Sequence, residues 1–556
     1  MRVVAKNVTA THLLGLRNAR PSVSVSVVPS VRTQRPHMLS RRHHHPLGVR
    51  TQSTRSARDD DDADDADDAP GDVELQPLMA PPSLSAPSTP FTPTVLLFFL
   101  FPAIGGLLFG YDIGATSGAL LSMTSPTLSG TSWYDLSTSS QGLVVSLSLF
   151  GALAGSALAL VFGDSMGRRK ELILGGALYC AGAGLVYAAQ QLPVVMLGRL
   201  LYGVGIGFSM HAAPAYIAET SPPSVRGVLI SMKEGFIVGG ILLGYLVSYL
   251  VINSVGGWRS IYGLGVPLSV LLMAGMAWLP ESPRWLALKG RKDDAVDSLM
   301  RMDAGGEGEA GTGLRRKETL EAEVDGMMLS TSGDDQLPFW TVFTDPKYRP
   351  ALTVGLSLML FQQITGQPSV LYYAAKIFQD AGFTSSSSAT GISVVLGLFK
   401  LVMTGVAIAT VDSWGRRPLL LWGVSGIVVA LVALATIQSS LLLPATAPLA
   451  INLNVVALLL YVGAYQVSFG PISWLLCGEV FPLSVRGSAL ALATITNFAS
   501  NFLVSLCIPT LQESLGQAGL YVLFAGIAVG ALAVINATVP ETKGKSLEEI
   551  ERIWSE

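Results

Sequence analysis

The sequence predicts an all-α membrane protein with twelve transmembrane helices arranged as two related halves of six. Three observations carry that prediction. Half of the 556 residues are apolar and only 13% are charged, with a mean hydropathy of +0.49. A water-soluble domain carries about 25% charge. The apolar residues fall in runs of about twenty, such as Gly423 to Leu443, the length that crosses roughly 30 Å of hydrocarbon as a helix. Polar motifs at the ends of these runs also occur twice, in the same order and at nearly constant offset. The 58 glycines suit helix faces that pack closely without water to drive association.

Residues 1–58 are a different polymer. They contain eleven Lys or Arg, seven Ser and no Asp or Glu, and they lack the apolar core of a secretory signal. An Arg- and Ser-rich, acid-free leader is the composition of an organelle transit peptide; a basic tail that stays on the chain is the other reading. His43, His44 and His45 have no surrounding fold to set metal geometry. Residues 59–68 hold eight Asp, a like-charge block that repels itself and offers no turn glycine for a calcium cage. Residues 59–93, acidic and then rich in Pro and Ser, read as a disordered linker.

Six apolar runs fill residues 94–280. A polar, inside-facing loop follows at 281–349, with helical stretches such as 318–328. Six more runs occupy 350–540, and residues 541–556 form a short tail. Lys and Arg set the orientation. With both termini inside, the outside loops carry only Arg259 and Lys376, whereas the inside loops carry many, among them Arg168, Arg169, Lys170, Arg226, Arg284, Arg416, Arg417 and Arg486. The halves repeat each other. Asp164-Ser-Met-Gly-Arg168-Arg169 recurs 248 positions on as Asp412-Ser-Trp-Gly-Arg416-Arg417. Glu219 and Arg226 recur 260 positions on as Glu479 and Arg486, and Pro280-Glu-Ser-Pro-Arg284 recurs at the same offset as Pro540-Glu-Thr-Lys-Gly544. Parallel six-helix repeats with a site between them near the midplane are a transporter architecture.

These motifs, with Gln362-Gln363-Ile-Thr-Gly366, resemble those of the sugar porter family of the major facilitator superfamily. The match covers about residues 94–550. The segment from Gln362 to Tyr373, together with the transit-like leader, is most similar to the plant chloroplastic D-xylose-proton symporter-like group. The resemblance implies the major facilitator fold. It also implies that the loop 281–349 is a helical domain latching the inside face.

Among the charged residues inside the spans, four matter most. A charge in the bilayer interior costs at least about 2.5 kcal/mol and is a functional candidate by default. Asp112 lies late in the first span. Arg199 lies about 30 Å up the fourth span from Glu219 at 1.5 Å per residue. The resemblance implies that Asp112 and Arg199 form the proton-coupling pair, since protonation of Asp112 removes most of the attraction; a static buried pair is the alternative. Glu234 lies about 12 Å into the fifth span and Lys400 about 18 Å into the eighth. The family usually carries a sugar-binding Gln and an Asn at these positions. Glu234 and Lys400 are expected either to neutralise each other across the central cavity or to pair locally.

A sugar needs amides that both donate and accept, together with aromatic walls. The second half offers Gln362, Gln363, Tyr372, Tyr373, Trp474, Asn497 and Asn501, which the resemblance implies line the cavity; inter-helix hydrogen bonding is the plainer role for a membrane amide. Gln367-Pro368 stands where Ile-Asn is commoner and Phe498 where Trp is commoner, so the sugar does not carry over from relatives. Gly366 and Pro368 weaken the seventh span. At the inside helix ends, Asp164, Arg168, Glu219, Arg226, Asp412, Arg416, Glu479 and Arg486 are expected to clasp across the inner face in one conformation and part in the other. Topology signalling by positive charge is the simpler role for the basic ones.

Nothing predicts an enzyme. There is no phosphate-binding loop, nucleophile elbow or metal-ligand spacing. Cys180, Cys477 and Cys507 are too scattered for a disulfide framework or zinc site. His211 could relay a proton, or simply be packed or hydrogen-bonded. No cofactor is expected. The expected partners are a small sugar, a proton and the bilayer, with no nucleic acid and no obligate protein partner. The resulting expectation is a proton-coupled carrier of a monosaccharide or disaccharide in a plastid envelope membrane. The alternatives are a uniporter or a non-transporting sugar receptor, in a mitochondrial or vacuolar membrane.

Overall fold

The computed structural model describes residues 93–553 apart from 223–224, 304–312, 333–340, 440–443, 445–446 and 546. The leader at 1–58 and nearly all of the linker at 59–93 lie outside the described residues. Every regular element among them is helical. The first half comprises α1 (Pro93–Met123), α2 (Thr138–Met166), α3 (Arg168–Ala188), α4 (Leu192–Thr220), α5 (Arg226–Val251), and a sixth span made of α6 (Gly257–Gly263) and α7 (Gly265–Trp278).

In the second half the seventh span is broken into α12 (Arg349–Ile364), α13 (Gln367–Tyr372) and α14 (Ala374–Asp380). Then come α15 (Ser386–Trp414), α16 (Arg416–Gln438), a tenth span formed by α17 (Pro448–Val467) and α18 (Phe469–Val480), and α19 (Arg486–Thr538). Ten helices qualify as spans by length and composition alone. The other two follow from the broken seventh span and from α19, which is two spans joined at the kink at Gly516.

The seventh span breaks where Gly366 takes a φ of 88° and Pro368 lacks an N–H. In hydrocarbon, a broken helix survives only if its freed backbone groups find partners. Two tyrosines of α17 supply them: Tyr461 donates to Thr365 O at 2.6 Å and Tyr465 to Gln362 O at 3.2 Å.

The duplicated loop motifs build one rigid corner in each half. The Glu281 carboxylate accepts the N–H groups of Arg169 and Ser282 at 2.9 and 3.0 Å. Glu541 accepts those of Arg416 and Arg417, both at 3.1 Å. An acidic group at a helix N-terminus is favourable because the first N–H groups have no partner within the helix. Burial nevertheless pushes the Glu281 carboxyl up from its ordinary value, against the pull of those donors. The Arg169 side chain donates to Met276 O at 2.9 Å and Arg417 to Asn536 O at 2.9 Å, satisfying carbonyls at the ends of the sixth and twelfth spans.

The inside-facing loop contains α8 (Pro283–Leu288), α9 (Lys292–Asp303), α10 (Gly313–Ser332) and α11 (Thr341–Thr344). The first three share a small core of Trp285, Leu286, Ala295, Val296, Leu320 and Val324. Trp285 Nε1 donates to Asp164 O at 2.9 Å, which ties the loop to the first half. The tail carries a further helix, α20 (Leu547–Ile553), whose Ile550 is buried.

The halves meet toward the outer side. Ala375 N–H donates to Ser117 Oγ at 2.9 Å and Tyr245 Oη donates to Leu371 O at 2.8 Å. Both bonds involve residues well beyond the midpoint of their spans. At mid-depth Phe109 packs on Phe498 and Phe150 on Phe502, with ring centroids 6.0 and 5.3 Å apart. The halves are thus in direct contact at the outer side and at mid-depth.

Gly167 (φ 88°, ψ 157°) and Gly415 (φ 93°, ψ 164°) occupy backbone conformations that essentially only glycine adopts. A Cβ at Gly167 would also lie 2.6 Å from a Glu281 carboxylate oxygen. Gly167→Ala and Gly415→Ala should each cost about 1–3 kcal/mol, read as a lower thermal unfolding midpoint of the purified protein. Unchanged midpoints would contradict this account of the corners.

Candidate functional site

Asp112 on α1 and Arg199 on α4 are 2% and 1% exposed and form a direct ion pair. Asp112 faces α4 because α1 lies deep in the first half, packed on α4 and α5. Arg199 is held on every side. Its Nε donates to Val144 O at 2.9 Å and its Nη2 to Ser148 Oγ at 2.8 Å, and its guanidinium lies 5.1 Å from the Tyr262 ring centroid. Ser148 Oγ in turn lies 3.0 Å from Asp112 Oδ2. Tyr111, Tyr202 and Tyr262 line a small cavity beside the pair, with room for about one water molecule.

The amides of the second half gather at the break in the seventh span. Gln362 Nε2 donates to Phe469 O at 2.7 Å, and Gln362 Oε1 accepts from Asn497 Nδ2 at 2.7 Å and from Gln363 Nε2 at 3.4 Å. Asn501 Oδ1 accepts from Ser505 Oγ at 3.2 Å, and Tyr373 Oη donates to Ser505 O at 3.0 Å. Trp474 is partly buried against the same core. Gln363 Oε1, the Tyr372 hydroxyl and both polar atoms of Gln367 are buried without a hydrogen-bond partner among the described residues. Such atoms cost about 1–3 kcal/mol each, and a polyhydroxylated ligand is chemistry that satisfies them. Ala375, three residues beyond Tyr372 on the broken span, donates its N–H to Ser117 Oγ at 2.9 Å, which joins that span to α1, the helix of Asp112.

Glu234 and Lys400 do not form the direct ion pair expected across the cavity. The buried Lys400 ammonium is instead taken by Gln466 Oε1 on α17 and lies 5.6 Å from the Tyr465 ring centroid. Glu234, partly exposed on the facing half, acts electrostatically on Lys400 and also interacts with Gln466, the amide that holds the ammonium. The reason is local: Gln466 lies on α17, packed against α15 within the same half, whereas Glu234 belongs to α5 of the other half.

The inside charges likewise pair within each half, not between halves. Arg168 bonds Asp164 at 2.7 Å and Glu219 at 3.4 Å. Arg416 bonds Asp412 and Glu479, both at 3.0 Å. Each arginine starts a helix whose neighbours in the same half end at the same level, so the partners converge there. Among the described residues, Arg226 and Arg486 meet no carboxylate within ion-pair range; they donate to Ser221 O at 3.4 Å and Phe481 O at 3.1 Å, each five residues back. His211 is hydrogen-bonded, with Nδ1 2.7 Å from Oε1 of the fully buried Glu171.

Sequence reasoning missed three residues of these sites. Ser148 and Gln466 carry no signal in a membrane helix, where serine and glutamine are ordinary packing residues. Glu281 was visible only as part of a repeated motif.

Two six-helix repeats around a midplane break, with a buried ion pair in one half and converging amides in the other, define a membrane transporter of the major facilitator type. Comparison with known proteins sharpens this. Residues 98–554 match the family described as Sugar (and other) transporter, and the chain belongs to that family, a family of carriers and not of enzymes. D-xylose-proton symporter-like 3, chloroplastic, from Arabidopsis thaliana is 51% identical over 472 residues, with 82% of each chain covered. The galactose-proton symporter of Escherichia coli strain K12 is 33% identical, covering 81% of this chain and 92% of that one. Among solved structures, the partially occluded inward-open form of the xylose transporter XylE from E. coli aligns with a TM-score of 0.67 at 27% identity, over 81% of this chain and 99% of that chain.

Removing one partner of a buried charge is worse than removing both. Gln466→Leu strands the Lys400 ammonium and should cost about 1.5–3 kcal/mol, lowering the thermal unfolding midpoint. Adding Lys400→Met to that variant should recover most of the loss. A double variant no more stable than Gln466→Leu alone would contradict the assignment.

Proposed function

We propose that the chain is a proton-coupled sugar transporter that works by alternating access in a plastid envelope membrane. The observation that supports coupling best is the Asp112–Arg199 pair, sealed from solvent inside the first half. A proton on Asp112 cancels most of its attraction for Arg199. Arg199 cannot discharge in compensation, because a guanidinium stays protonated. Proton binding therefore changes the forces between α1, α2 and α4.

The sugar site reads as the amide cluster of Gln362, Gln363, Asn497 and Asn501 with Tyr372, Tyr373 and Trp474. The link to the pair is the hydrogen bond from Ala375 on the broken span to Ser117 on α1, the helix that carries Asp112. A sugar that orders the broken span around Gln362 therefore acts on the helix on which the proton also acts. The corners at Arg168 and Arg416 keep each half intact while it moves. Their aspartates are mostly exposed, so these are weak pairs that can be remade during a cycle. Glu234 and Lys400 face each other from opposite halves; their separation changes as the halves rock, which tunes sugar affinity.

The plastid assignment is supported by the acid-free, Arg- and Ser-rich composition of residues 1–58 and by the chloroplastic description of the Arabidopsis relative. A fusion of residues 1–80 to a fluorescent protein should enter plastids in plant cells. A secretory or diffuse cytosolic signal would overturn the assignment, and a mitochondrial one would replace it.

The test of function is uptake of a panel of labelled sugars, including D-xylose, D-glucose and D-galactose, into proteoliposomes with and without an imposed pH gradient. The gradient should drive accumulation above the outside level. In Asp112→Asn, which keeps the shape but not the charge, that accumulation should vanish. Accumulation at the unaltered level in Asp112→Asn would remove Asp112 from coupling. Uptake that ignores the gradient in the unaltered chain would favour a uniporter.

A further inference from the structure

Ser148 stands between the two charges of the first half, on a different helix from either. Its oxygen accepts from Arg199 Nη2 at 2.8 Å. Its single hydrogen has two acceptors in reach: Asp112 Oδ2 at 3.0 Å and Val145 O, one turn back on α2, at 3.3 Å. A hydroxyl has one donor and two acceptor lone pairs, so it serves only one of these acceptors at a time. Val145 O also lies 3.3 Å from Arg199 Nη2. Ser148 is itself completely buried.

The geometry points to Ser148 as a positioning residue, a hydroxyl switch that carries the protonation state of Asp112 onto α2. This rests on the proton-coupled reading above. With Asp112 ionised, the Ser148 hydrogen points at Oδ2 and its oxygen holds Arg199. One hydroxyl then ties α1, α2 and α4 together. When a proton from solution binds Oδ2, that oxygen becomes the donor. Its hydrogen points to Ser148 Oγ, and the Ser148 hydrogen swings to Val145 O. The proton stays on Asp112 and nothing else is transferred. Arg199 loses the charge of Asp112 and must share both Ser148 Oγ and Val145 O.

The change lands on α2, and α2 is where the first half touches α19 of the second. Phe150, two residues beyond Ser148, packs on Phe502 at 5.3 Å between ring centroids. At the outer end of α2, a Cβ on Gly142 would lie 2.7 Å from Leu506 O, so the helices touch there through bare backbone. A rearranged hydrogen bond at Ser148 therefore sits within a turn of an inter-half contact. The groups facing Asp112 are Arg199 on α4, Tyr111 on α1, Tyr179 on α3, Tyr202 on α4, Tyr262 on α6 and Tyr372 on α13. Of these groups, the Asp112 carboxylate is the proton acceptor that the coupled reading uses.

Ser148→Ala deletes one oxygen and leaves the helix intact; Ser148→Thr restores the hydroxyl. Uptake of labelled D-xylose, D-glucose and D-galactose into proteoliposomes, at fixed inside pH and varied outside pH with matched protein amounts, gives the midpoint of the pH profile. Without a donor to its ionised form, the carboxylate takes its proton at lower proton concentration. In Ser148→Ala the midpoint should move to higher pH by about one unit, a tenfold change in proton concentration, and Ser148→Thr should return it. A merely structural serine would lower uptake at every pH without moving the midpoint. An unmoved midpoint in Ser148→Ala overturns the proposal, as does a shift that Ser148→Thr fails to reverse. Uptake by the unaltered chain that ignores the gradient overturns the coupling reading, and the switch with it.

Discussion

Burying Asp112 and Arg199 away from solvent is the constraint on which the rest of the structure turns. Removing two ions from water is expensive, several kcal/mol each even after relaxation. Their mutual attraction offsets this only where the remaining donors are also satisfied. The first half supplies those partners: the carbonyls of Val144 and Val145, the Ser148 hydroxyl and the Tyr262 ring all converge on the guanidinium. Such a site is stable in one charge state and strained in the other. That makes a single proton able to change the relation of α1, α2 and α4, which no exposed ion pair could do.

The inner corners solve the opposite problem. A carrier must move its halves against each other without deforming either. Glu281 and Glu541 cap the helices that begin at Arg168 and Arg416, and Arg169 and Arg417 close the ends of the sixth and twelfth spans. All of these contacts lie within one half. Hydrogen bonds between halves, such as Ser117 with Ala375 and Tyr245 with Leu371, are made toward the outer side, while the inner corners tie each half to itself. The polar break at Gly366 lies between these two regions.

Much of this was legible in the sequence because the membrane makes certain residues conspicuous. A charged residue in an apolar run, as at Asp112 or Arg199, stands out whatever the conformation. The repeated motifs and the break at Gly366 and Pro368 could be read for the same reason, since each violates a simple pattern. Which of the inside charges pair, and with what Lys400 pairs, could not be read. Arg168 and Glu219 are 51 positions apart, and only the packing of α3 on α4 shows that they meet within one half. Lys400 was visible, but its partner Gln466 was not, because an amide in a membrane helix is equally well explained as inter-helix glue. Ser148 was less visible still, since its importance comes wholly from the two charges on either side of it.

The central claim is that sugar movement and proton movement are one event. The most direct measurement follows protons while sugar supplies the driving force. Proteoliposomes containing the unaltered chain would be prepared at equal pH on both sides, with the membrane potential clamped to zero. Unlabelled sugar would then be added outside and the external pH followed with a dye. Coupled transport predicts that sugar entering down its own gradient draws protons in, so the medium becomes more alkaline at a rate that saturates with sugar concentration. Sugar entry, measured in parallel, with no movement of protons would contradict the account.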